Sequence, residues 1–121
     1  MSDRIRNTFE RVKKRGGKAL VGYLTAGDPD MRRSEADIRA AIRNGVDVLE
    51  LGVPFSDPTA DGPVIQAASL RSLASGANVK KVLELVRSLR RDLDIPIILF
   101  GYANPFFSYG YKKLCTEAAA A

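Results

Sequence analysis

The stretch Val46-Asp47-Val48-Leu49-Glu50-Leu51-Gly52-Val53-Pro54-Phe55-Ser56-Asp57-Pro58-Thr59-Ala60-Asp61-Gly62-Pro63 decides the fold. Its first half is a short valine and leucine run bounded by glycine and proline, the pattern of a buried parallel strand. Alternation puts Val46, Val48 and Glu50 on one face and Asp47, Leu49 and Leu51 on the other. Glu50 therefore shares its face with two valines near the C-terminal end of the strand. A carboxylate among apolar side chains is costly unless it is paired or holds its proton more tightly. Carboxylates of the second kind serve proton transfer near neutral pH. The second half is a proline-punctuated loop that carries Asp57 and Asp61. Asp61-Gly62-Pro63 then opens a helix, with Pro63 as its first residue. A strand-end Glu and a loop Asp thus come to one mouth. Two structural alternatives stand beside the catalytic one: Glu50 as a salt-bridged strand residue, and Asp61 as a helix N-cap.

Outward from this stretch, strands alternate with helices. Arg4 to Arg15 reads as a leading amphipathic helix with Ile5, Phe9 and Val12 on one face, stopped by Gly16-Gly17. Ala19 to Thr25 is a first buried strand with Ala26-Gly27-Asp28-Pro29 as its exit loop. A helix over Ser34 to Asn44 follows, ended by Gly45. Beyond the central loop come helices over Pro63 to Leu73 and, capped by Asn78, Val79 to Arg91. The stripe Val79, Val82, Leu83, Val86, Leu89 and Leu93 is core. Ile95 to Tyr102 is a third strand, Asn104-Pro105 a loop, and a last helix runs from about Tyr109 to the alanine-rich end. This order predicts βαβ units and a parallel sheet. Residues 1–121 read as a single domain with no internal boundary. Parity puts Tyr23, Glu50 and either Phe100 or Tyr102 at neighbouring strand ends. Both a (β/α)8 barrel and a doubly wound sheet place their sites there, so the pattern alone does not separate them.

Composition narrows the chemistry. Across 121 residues, 45% are hydrophobic and 27% charged, an ordinary globular balance. The net charge of +5 comes from basic clusters at Arg4 to Lys18 and Lys80 to Arg91. Acidic residues are interleaved there and no RNA-binding motif occurs, so these read as solvated helix faces. The single cysteine, Cys115, allows no intramolecular disulfide and suits a reducing compartment. With no histidine, neither a Cys/His metal cluster nor a Ser-His or Cys-His nucleophile pair can form. Acid-base work falls to carboxylates, lysine or tyrosine. No run approaches the ~20 apolar residues of a membrane span. The expectation is a soluble, cytoplasmic protein without a metal.

Leu49 to Gln66 closely resembles the signature of the tryptophan synthase alpha chain family. Gly22-Tyr23-Leu24-Thr25-Ala26-Gly27-Asp28-Pro29 and Gly101-Tyr102-Ala103-Asn104-Pro105 agree with it in order and spacing. The resemblance covers essentially the whole chain, but only about the first half of the family's length. It selects the barrel: an α/β fold, a partial (β/α)8 TIM barrel of about three βα units plus a leading helix. It implies a lyase of tryptophan biosynthesis that cleaves indole-3-glycerol phosphate to indole and glyceraldehyde 3-phosphate without a cofactor of its own. By resemblance Glu50 is the acid-base catalyst and Asp61 the partner of the indole N–H. Tyr23, Ile65, Phe100 and Tyr102 become walls of the indole pocket. Pro54, Asp57 and Pro58 become contacts to the beta chain, a pyridoxal-phosphate enzyme. The glycine-rich loops that hold the substrate phosphate belong to the second half of the family's barrel. The chain accordingly reads as a fragment. The competing expectations are a different phosphosugar-binding barrel, which does not account for the paired Glu50 and Asp61, and a catalytically incomplete half-barrel that self-associates or complements another half.

Overall fold

A computed structural model describes residues 3–121. The elements run α1 (Arg4–Lys14), β1 (Val21–Thr25), α2 (Met31–Arg43), β2 (Val48–Gly52), α3 (Pro63–Ala74), α4 (Val79–Leu89), β3 (Ile97–Phe100), α5 (Ala103–Tyr109) and α6 (Tyr111–Ala120). The strands form one parallel sheet in the order β1-β2-β3. The expected parallel α/β arrangement is present, with β2 at its centre.

Register fixes what shares a face. Tyr23 pairs with Glu50, and Glu50 with Ile98, while Gly52 pairs with Thr25 and Phe100. Tyr23, Glu50, Ile98 and, one step on, Phe100 therefore project to the same side. Leu49 and Leu51 project to the other and are fully buried. They join a core with Ile38 of α2 and Val82, Leu83, Val86 and Leu89 of α4. Each such side chain contributes about 1.5–3 kcal/mol of burial. The helix layer is also tied by charge. Arg39 of α2 donates to both Asp92 oxygens (2.7 and 2.9 Å), to Glu35 (2.9 Å) and to the Ser88 carbonyl (3.1 Å). The Ser88 hydroxyl donates to Glu35 at 2.8 Å.

Several boundaries differ from the sequence expectation, each for a local reason. Helix α2 starts at Met31, three residues early, because the Asp30 carboxylate caps the Arg33 N–H at 2.8 Å. Asn78 caps α4 as expected, accepting from the Lys81 N–H at 3.0 Å. The segment around Asn104-Pro105 is not a loop but the first turn of α5. Proline is tolerated in a first turn, where its missing N–H would have had no helical partner. Gly110, at φ 95°, then separates α5 from α6.

Candidate active site

The site is built where β1, β2 and β3 end. Glu50 is partly buried between Tyr23 and Ile98 on the open face of the sheet. Among the described residues its carboxylate makes no hydrogen bond and no ion pair. The salt-bridged alternative for Glu50 is therefore not realised. By contrast Asp47, on the opposite face, is engaged by Arg15 (3.2 Å) and the Leu20 N–H (3.0 Å).

Asp61 is held from three directions. Its carboxylate accepts from the Tyr102 hydroxyl at 3.0 Å. Its main-chain carbonyl accepts from the Gln66 amide at 2.8 Å, and its N–H donates to the Pro58 carbonyl at 3.2 Å. The N-cap of α3 is Gly62, with Pro63 first in the helix, and no side chain caps it. The N-cap alternative for Asp61 is thus also not realised; the carboxylate turns toward the end of β3 instead.

Tyr23 stands beside Glu50 in the register of β1 and β2. Burial pushes its phenol above the usual tyrosine range; a hydrogen bond from the Thr25 hydroxyl (3.4 Å) opposes this, and the charges of Asp61, Tyr102 and Glu50 add to it. Its ring meets Phe100 edge-on at 5.8 Å and 84°. Its hydroxyl crosses β2 at Gly52, where a Cβ would collide with the Tyr23 hydroxyl and meet Cζ at 2.6 Å. Glycine is required there by close approach, not by backbone conformation. Tyr102 in turn packs on Phe55 at 5.4 Å between ring centroids.

Of the residues singled out in the sequence, Tyr23, Glu50, Phe100, Tyr102 and Asp61 converge. Ile65 lies partly buried in the first turn of α3. Asp57 is exposed and accepts from the Ser56 hydroxyl at 2.6 Å, while Pro58 is partly buried. Pro54 is buried within the chain, in a groove shared with Leu73, Val79, Pro105 and Tyr109. Sequence reasoning missed Gln66 as the residue that pins the Asp61 backbone. A glutamine in the first turns of a helix, able to reach back to the preceding loop, was the available signal. No group of His, Cys, Asp and Glu residues suited to a metal occurs among the described residues. None of their helices is long and apolar enough to cross a membrane.

Residues 9–121 match the family model for the tryptophan synthase alpha chain. The chain belongs to the tryptophan synthase alpha chain family. It is 56% identical over 117 residues to the alpha chain of Desulfatibacillum aliphaticivorans, covering 97% of this chain and 44% of that one. It is 50% identical to the alpha chain of Neisseria meningitidis serogroup B, at 98% and 45% coverage. The crystal structure of tryptophan synthase subunit alpha from Legionella pneumophila superposes with a TM-score of 0.95 at 42% identity, over 99% of this chain and 46% of that one. An aminoacrylate-bound tryptophan synthase from M. tuberculosis gives 0.90 at 32% identity, over 98% and 48%. The chain thus spans a little under half the length of these relatives. Its three strands and their helices are part of the family's (β/α)8 barrel, as the resemblance implied, and membership ties the chain to tryptophan biosynthesis.

Proposed function

We propose that these residues form the catalytic half of an alpha-type lyase that cleaves indole-3-glycerol phosphate to indole and glyceraldehyde 3-phosphate. The observation that carries this reading is a pair of carboxylates at the strand ends: Glu50, beside Tyr23 and without a partner, and Asp61, fixed by Tyr102. Glu50 delivers a proton to indole C3 and takes one from the glycerol hydroxyl on the carbon attached to C3. The bond between those carbons breaks, its electron pair returns to the ring, and the hydroxyl carbon leaves as the aldehyde. The net proton transfer is from hydroxyl to ring carbon. Asp61 accepts the indole N–H and stabilises the positive charge that C3 protonation places on the ring nitrogen. Tyr23, Ile65, Phe100 and Tyr102 wall the ring. Asp57 and Pro58 offer surface to the beta chain, and the buried Pro54 shapes the loop beneath them.

The test uses a barrel-length chain in which residues 1–121 continue into the remaining part of the Desulfatibacillum aliphaticivorans relative. It should release indole and glyceraldehyde 3-phosphate in equal amounts. Asp61→Asn should lower kcat by about a hundredfold or more, the range for losing a group aimed at developing charge. Turnover unaffected by Asp61→Asn would refute the assignment.

The sheet also favours a second reading. Strands β1 and β3 are both edges, and Val21 (44%) and Phe100 (50%) are exposed on them. Open strand edges and exposed apolar side chains favour pairing with another chain. On this reading the 121-residue polypeptide alone is an inactive half-barrel that associates with a second copy or a complementing half. Light scattering on the purified chain checks it; a compact monomer releasing indole would contradict it.

A further inference from the structure

We propose that the Tyr102 hydroxyl, not its ring, is what Tyr102 contributes to the chemistry: it is a positioning group that aims Asp61. The inference rests on the role given to Asp61 above. The hydroxyl donates to Asp61 Oδ2 at 3.0 Å and accepts from the Ala60 N–H at 2.9 Å. One phenol oxygen therefore fixes both the carboxylate and the main chain next to it. Gln66 holds the other end of the residue through the Asp61 carbonyl. Among the described residues, Asp61 Oδ1 has no hydrogen-bond partner. With Oδ2 occupied by the phenol, Oδ1 is the oxygen left to accept a ring N–H.

The tie crosses the site. Asp61 stands on the loop after β2, whereas Tyr102 follows β3 as the N-cap of α5, with extended backbone at φ −79° and ψ 155°. A carboxylate on a surface loop has two free side-chain torsions. Fixing them beforehand removes an ordering cost that would otherwise fall on the transition state. A pocket wall needs only the ring, and the contact with Phe55 at 5.4 Å is made by the ring. The two roles therefore separate by removal of one oxygen atom.

Tyr102→Phe in the barrel-length chain keeps the wall and deletes the tie. Its kcat for indole release should fall about tenfold to a hundredfold, in keeping with loss of a charge-assisted hydrogen bond. KM should stay within about threefold, because ground-state contacts to the ring persist. Amide exchange at Ala60 should quicken about fivefold as its acceptor disappears. Phe55→Leu is the control: it removes the ring contact, keeps the hydroxyl, and should leave kcat within about twofold. Asp61→Asn with normal turnover would overturn the underlying lyase assignment. Asp61→Asn crippled but Tyr102→Phe fully active would overturn the positioning role alone. A Tyr102→Phe chain that fails to fold, or a Phe55→Leu loss as large as that of Tyr102→Phe, would also overturn it, by making Tyr102 a structural tie.

Discussion

Gly52→Ala tests whether the floor of the site is built as described. The methyl group would collide with the Tyr23 hydroxyl and lie 2.6 Å from Cζ and 3.0 Å from Cε2. Carbon atoms at rest approach to about 3.5–4.0 Å, so the ring must move by about 1 Å or turn away. Turning away breaks its edge-on contact with Phe100. The strand cannot yield instead, because β2 is bonded on both sides. Overpacking costs about 1–3 kcal/mol, and the lost aromatic contact about 0.5–1.5 kcal/mol. Together they predict destabilisation of about 1.5–4.5 kcal/mol, read as a lower urea midpoint at unchanged slope in the barrel-length chain. The companion background is Tyr23→Ala, which removes the obstructing ring. There the added cost of Gly52→Ala should fall below about 1 kcal/mol, a coupling that only contacting residues show. Equal costs in both backgrounds would refute the close approach of Tyr23 to Gly52.

Two further substitutions probe the loop and the helix layer. Asp57→Asn should leave indole release by the isolated barrel nearly unchanged but weaken its stimulation by the beta chain; equal losses in both assays would count against a docking role for this loop. Burial tends to raise the Glu35 carboxyl, but the Ser88 and Arg39 hydrogen bonds and the Arg39 charge outweigh it and hold it below its usual value. Stability from a depressed carboxyl is present above its unfolded-state range and is lost as pH falls through the folded-state value. The melting deficit of Glu35→Gln should therefore be largest near neutral pH and shrink in acid; a deficit independent of pH would contradict the network.

The strands, the central βα loop and the placing of Tyr23 and Glu50 at neighbouring strand ends were legible in the sequence because alternation and glycine-proline punctuation act over a few residues. So was the capping of α4 by Asn78. The pairing of Tyr23 with Glu50 in register is a feature of the fold. The early start of α2 is not legible from hydrophobic periodicity, because its first turn carries Arg32 and Arg33 and regular apolar spacing begins only at Ala36; the Asp30 cap is the signal for it. Helix α5 was missed because Pro105 reads as a breaker until its place in a first turn is known. The tie from Tyr102 to Asp61 joins residues 41 apart in sequence. No local pattern encodes it; it depends on β3 lying beside β2 in one particular register. For the same reason the sequence could suggest a cost for Glu50 but not show that the carboxylate lacks a partner.

The central claim is that Glu50 moves the proton, and Glu50→Gln in the barrel-length chain tests it most directly. The amide preserves size and much of the polarity but cannot accept and return a proton on the reaction path. Turnover and binding of indole-3-glycerol phosphate should be measured on the same preparation, the first by indole release and the second by calorimetry. The account predicts that indole release falls by a factor of about a hundred to ten thousand, the usual weight of general acid-base catalysis, while binding stays largely intact. Indole release at near-normal rates by Glu50→Gln would contradict it.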